Sequence, residues 1–86
     1  MGFFGFGKSY TQDDLQKEIT KLERLYIQGM GGGNPQLKRE LASQLSVVLD
    51  ICKKGNFSGG EMVDWCGCGT SLRNVTPPVQ VMIEMM

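Results

Sequence analysis

The chain has 86 residues, nine basic and nine acidic side chains, and no histidine. That length suits one small domain, in which folding can bury only about two thirds of the surface the unfolded chain exposes, so the core must be thin. The missing imidazole excludes Ser/His and Cys/His nucleophile pairs, histidine zinc ligands and the commonest general base. The expectation is therefore a protein that is not an enzyme and holds no cofactor.

A pI near 6.2 with dispersed Lys and Arg supplies no basic stripe for a phosphate backbone, which argues against nucleic acid as a partner. No apolar run is long enough to cross a bilayer, and none of signal-peptide length follows the start. Together with an odd number of cysteines, this sets the expected location as the cytoplasm, with reduced thiols and no membrane partner. The sequons Asn56-Phe57-Ser58 and Asn74-Val75-Thr76 then read only as turn-forming polar sequence.

In chain order, residues 1–10 form a Gly/Phe-rich arm. Gly2-Phe3-Phe4-Gly5-Phe6-Gly7-Lys8-Ser9 fits the phosphate-loop pattern GxxxxGK[ST], but no strand precedes it and a chain this short cannot supply a nucleotide-binding sheet. Phe6 also stands where a myristoylation signal needs Ser or Thr. What remains is an apolar arm whose Phe3, Phe4 and Phe6 lie across the rest of the chain or dock on a partner.

All twelve glycines fall in four clusters that leave two glycine-free windows of equal length, 8–28 and 34–54. Because glycine costs about 1 kcal/mol inside a helix and is favoured just past its end, each window predicts a helix. The first, over about 12–28, opens on the capping sequence Thr11-Gln12-Asp13-Asp14 and repeats apolar residues at Leu15, Ile19, Leu22 and Leu25 or Tyr26, with Gly29 as its stop. The second, over about 35–54, opens on Asn34-Pro35 and lines one face with Leu37, Leu41, Leu45, Val48 and Cys52, with Val47, Leu49 and Ile51 widening it. Asp50 can pair with Lys53 or Lys54 near its end. Two rods of matching length joined by a glycine-rich bend predict an antiparallel helical hairpin.

Beyond Gly55, Ser58-Gly59-Gly60-Glu61 reads as a second capping box introducing a short helix with Met62, Val63, Trp65 and Cys66. In the tail, Thr76-Pro77-Pro78 favours a helix, whereas the alternation of Val79, Val81, Ile83 and Met85 favours a strand. Helix is preferred because no second strand suggests itself as a partner. The predicted fold class is thus all-α: one small helical domain over 1–86, built on the helical hairpin with one or two short C-terminal helices.

Three groups of residues could carry function. Trp65, Met82, Met85 and Met86, with the phenylalanines of the arm, are adaptable apolar side chains of the kind protein-binding surfaces use. Gly31, Gly32, Gly33 and Asn34 enter a helix N-terminus with Lys38 and Arg39 a turn inside. Cations there oppose the helix dipole, and the combination describes a site for an anionic metabolite or nucleotide. Cys66-Gly67-Cys68 could share a soft metal or exchange a disulfide, although two thiols fall short of the four ligands of a zinc site. The leading expectation is a small protein-binding or regulatory module that associates with itself through apolar surface. The anion module and the thiol or metal protein are the alternatives.

Overall fold

The computed structural model describes residues 10–86, so the arm residues Phe3, Phe4 and Phe6 lie outside it. Two long helices, α1 (Gln12–Met30) and α2 (Pro35–Lys54), pack together. A β-hairpin follows, of β1 (Met62–Trp65) and β2 (Cys68–Ser71), then a 3-10 turn over Leu72–Asn74 and a third helix, α3 (Thr76–Met85). The described chain is therefore mostly helical but not all-α.

The helix starts follow the local chemistry of the sequence. Thr11 Oγ1 accepts the Asp14 N–H at 3.2 Å while the Asp14 carboxylate accepts the Thr11 N–H at 2.9 Å, which satisfies two otherwise orphaned donors. The Asn34 side chain accepts the Leu37 N–H at 2.8 Å, ahead of proline in the first turn of α2. Gln44 Nε2 donates to both the carbonyl and the carboxylate of Glu18 at 2.9 Å, so the middles of the two helices lie side by side. Asp50 pairs with Lys54 at 3.0 Å.

Leu15, Ile19 and Leu22 of α1 meet Leu37, Leu41, Leu45, Val48 and Ile51 of α2, and Val63, Leu72, Val75 and Val79 close the far side of one core. Each fully buried aliphatic side chain contributes on the order of 2 kcal/mol. Ile51 rather than Cys52 takes the deepest place near the end of α2, while Val47 and Leu49 stay exposed. No polar or charged residue is buried among those described.

Two expectations are corrected. Gly29 does not stop α1, which runs on to Met30 with Gly31 as its C-cap. The short helix expected after Ser58 is instead the β-hairpin. Glu61 does reach back, its carboxylate accepting the Ser58 and Gly59 N–H groups at 3.0 and 2.9 Å, but it closes a turn that leads into a strand. The hairpin pairs Trp65 with Cys68 and Val63 with Thr70. Its two-residue connection, Cys66-Gly67, has positive φ at both positions, 54° and 83°, which matches the right-handed twist of the flanking strands and favours glycine at the second position.

What decides for a strand lies on α1. In an antiparallel pair, alternate residues turn their N–H and C=O away from the partner strand. Those of Asp64 are both taken by the Gln16 amide, which accepts at 2.8 Å and donates at 3.1 Å. Gln12 Nε2 donates to the Met62 carbonyl at 2.7 Å, and the Glu23 carboxylate accepts the Cys66 N–H at 2.9 Å. A polar stripe of α1 thus stands in for a third strand along the outer edge of β1.

The tail is a helix, as expected. Its inward residues are Val79, Met82, Ile83 and Met86, the i, i+3, i+4, i+7 set of one helical face, which the apparent alternation in sequence conceals.

Candidate functional site

Where the C-terminal end of α1, the loop into α2 and helix α3 converge, they enclose an open cleft of about 560 Å³. Tyr26 and Gly29 come from α1, Gly33, Asn34 and Pro35 from the start of α2, and Pro78, Val81, Met82, Met85 and Met86 from α3 and its end. None of these side chains is charged.

Close approach at glycine shapes the cleft. A Cβ on Gly29 would stand 2.5 Å from the sulfur of Met82 and 2.9 Å from the terminal methyl of Met86. One on Gly33 would lie 3.0 Å from Met86 Cγ. The methionines of α3 therefore rest directly on backbone, which is the physical use of glycine inside the last turn of α1. With Met82 and Met86 turned inward, Val81 and Met85 face outward, 53% and 82% exposed.

The structure thus brings together residues from two separate expectations. Met82, Met85 and Met86 share one cleft with Gly33 and Asn34, while Gly31, Gly32, Lys38 and Arg39 are exposed and do not line it. The space over Gly33 is occupied by Met86. Asn34 is engaged with the Leu37 N–H as a helix cap. Trp65 stands one layer behind, half-buried, its ring 5.3 Å from that of Tyr26 at 46°. It supports the Tyr26 wall of the cleft rather than lining it, and the tilted pairing is of the kind that adds about 0.5–1.5 kcal/mol beyond area burial.

Cys66 and Cys68 sit at the hairpin tip, exposed and free, and Cys52 is half-buried on α2. Burial, then the nearby Glu23 carboxylate and Cys68, push the Cys66 thiol above its ordinary value of 9.0. It is held as a neutral thiol near pH 7, the weaker form for nucleophilic or metal chemistry. Cys52 is raised by burial and then by Glu61. Among the described residues no three His, Cys, Asp or Glu side chains gather where a metal ion could be held. No described helix is long and apolar enough to cross a membrane.

Tyr26, Pro78 and Val81 are cleft residues that sequence reasoning did not assign to a site, whereas Gly29 belongs to the glycine-rich loop 29–39 read as an anion site. The spacing of Pro78, Val81 and Met85 (i, i+3, i+7) is the signal that could have marked the open face of α3, once α3 is taken as a helix. The chain matches no protein-family model, no curated protein and no solved structure.

Proposed function

We propose that the protein is a small binding module that recognises apolar protein segments, including those of its own kind, through the cleft between α1 and α3. The observation that carries this reading is an uncharged, methionine-walled cleft whose outer lip, Val81 and Met85, is left to solvent. Methionine side chains adapt to irregular apolar partners at small conformational cost, and contiguous exposed apolar surface on so small a chain favours association. A regulatory role, exerted by occupying or releasing such a partner, fits a chain without histidine and without a gathered metal-ligating cluster among its described residues.

Light scattering coupled to size exclusion, run from micromolar to millimolar concentration, tests the reading. The expected result is a mass that rises with concentration for the natural sequence, and monomer throughout for Val81→Gln combined with Met85→Gln. A natural sequence that stays monomeric over the whole range, with no binding to apolar peptides, would overturn it.

A further inference from the structure

We infer that the occupant of the α1/α3 cleft is the segment Phe3 to Phe6 of a second copy of this chain. The inference rests on the binding reading above and names its partner. Chemical match comes first. The cleft presents thioethers, a tyrosine ring, the Asn34 amide and no charged side chain, and Phe3-Phe4-Gly5-Phe6 is an uncharged aromatic segment. Thioether sulfur against aromatic rings is a favourable pairing, and glycine beside the rings lets the backbone approach a cleft floored by glycine.

Reach decides between a chain's own arm and that of another copy. The arm enters at Thr11, the N-cap of α1, and the cleft lies at the opposite end, around Tyr26 and Gly29. At 1.5 Å per residue those positions stand about 22 and 27 Å along the helix from Thr11. A fully extended chain spans at most about 3.6 Å per residue, so Phe6 reaches about 18 Å and Phe4 about 25 Å from Thr11. Seating all three rings in the cleft of their own chain would therefore require the arm to leave Thr11 fully extended along α1, with no residue spent on reversing direction and with the Phe6 ring itself spanning the last few ångströms. On one side the route is also occupied, because the β-hairpin lies along α1 at Gln12, Gln16 and Glu23. An arm from another copy meets neither limit.

The resulting contact joins two different surfaces, the arm of one copy and the cleft of the next. Such an interface is heterologous, and each half can be disabled independently. Two variants of the full chain exploit this: one with Phe3→Ser, Phe4→Ser and Phe6→Ser, the other with Val81→Glu and Met85→Glu. The cleft substitutions fall on exposed residues, and circular dichroism verifies that the helices remain. The expected result is that each variant alone is monomeric, whereas an equimolar mixture yields a species of twice the monomer mass and none larger, because one intact arm meets one intact cleft.

A mixture that stays monomeric overturns the inference. So does an arm variant that self-associates as the natural sequence does, in which case the cleft pairs with something other than the arm and the binding reading still stands. A natural sequence that is monomeric at every concentration overturns this inference and removes self-association from the broader reading.

Discussion

The two flanks of α1 resolve opposite problems. Along β1, the exposed strand edge is polar backbone, and Gln12, Gln16 and Glu23 satisfy it from within the chain. At the α3 end the uncovered surface is apolar, and Val81 and Met85 are left in solvent. Unpaired backbone groups at a packed edge cost stability directly, whereas exposed methionine costs little until a partner arrives. Fold specification thus concentrates on one flank, and the surface proposed for binding lies on the other.

Substitutions can break this division or sharpen it. The largest effect is expected from Trp65→Ala, which removes a half-buried indole and the support behind Tyr26. We expect a loss of about 2–4 kcal/mol in urea unfolding, and a weakened cleft as well, since this residue links the two flanks. Gln16→Leu strips both hydrogen bonds from Asp64 and should cost about 1–2 kcal/mol, discounted for partial exposure, while leaving the concentration dependence of mass unchanged. If association also failed, the flanks would not be separable.

Gly67→Ala forces a Cβ onto a φ of 83° at the hairpin turn and should cost about 1 kcal/mol, read as a lower thermal midpoint. Acid should act more gently. The Gln44 hydrogen bond, then Lys21, hold Glu18 below the ordinary carboxylate value of 4.5, and the backbone N–H of Ser58 does the same for Glu61. A depressed folded pKa contributes stability that is present above the unfolded value and lost as pH falls through the folded one. The thermal midpoint should therefore decline below about pH 4.5, and Gln44→Leu should flatten part of that decline. The smallest effect belongs to Met85→Gln, expected to shift unfolding by no more than about 0.5 kcal/mol because the side chain already stands in water. A larger loss would show that Met85 supports the fold and is not held in reserve for a partner.

The long helices are legible in the sequence because their signals are local: the Thr11/Asp14 box, Asn34-Pro35, and glycine-free windows with apolar residues at helical spacing. The tail helix is legible from the prolines in its first turn, although Thr76, expected as the N-cap, is itself helical and Val75 takes the cap without a side-chain bond. The β-hairpin is not legible that way. Ser58-Gly59-Gly60-Glu61 satisfies the same backbone donors whether a helix or a strand follows, and Cys66-Gly67 draws attention as a thiol motif when its structural part is a two-residue turn. Glutamines 48 and 50 residues away then settle the outcome. The cleft was half legible. Its methionines stand out in composition, but their seats on Gly29 and Gly33 lie 53 or more residues away along the chain. The arm residues Phe3, Phe4 and Phe6 lie outside the described residues.

The glutamine contacts along β1 bear also on the order in which the molecule assembles. Contacts between α1 and α2 bridge short stretches of chain, whereas the bonds from Gln12 and Gln16 close loops of 50 and 48 residues and must await that longer closure. The rods are expected to meet first and the hairpin to dock late, on the native side of the kinetic barrier. A Gln16→Leu chain would then refold at nearly the natural rate and unfold faster, with the loss of stability appearing almost wholly in the unfolding limb of a stopped-flow chevron.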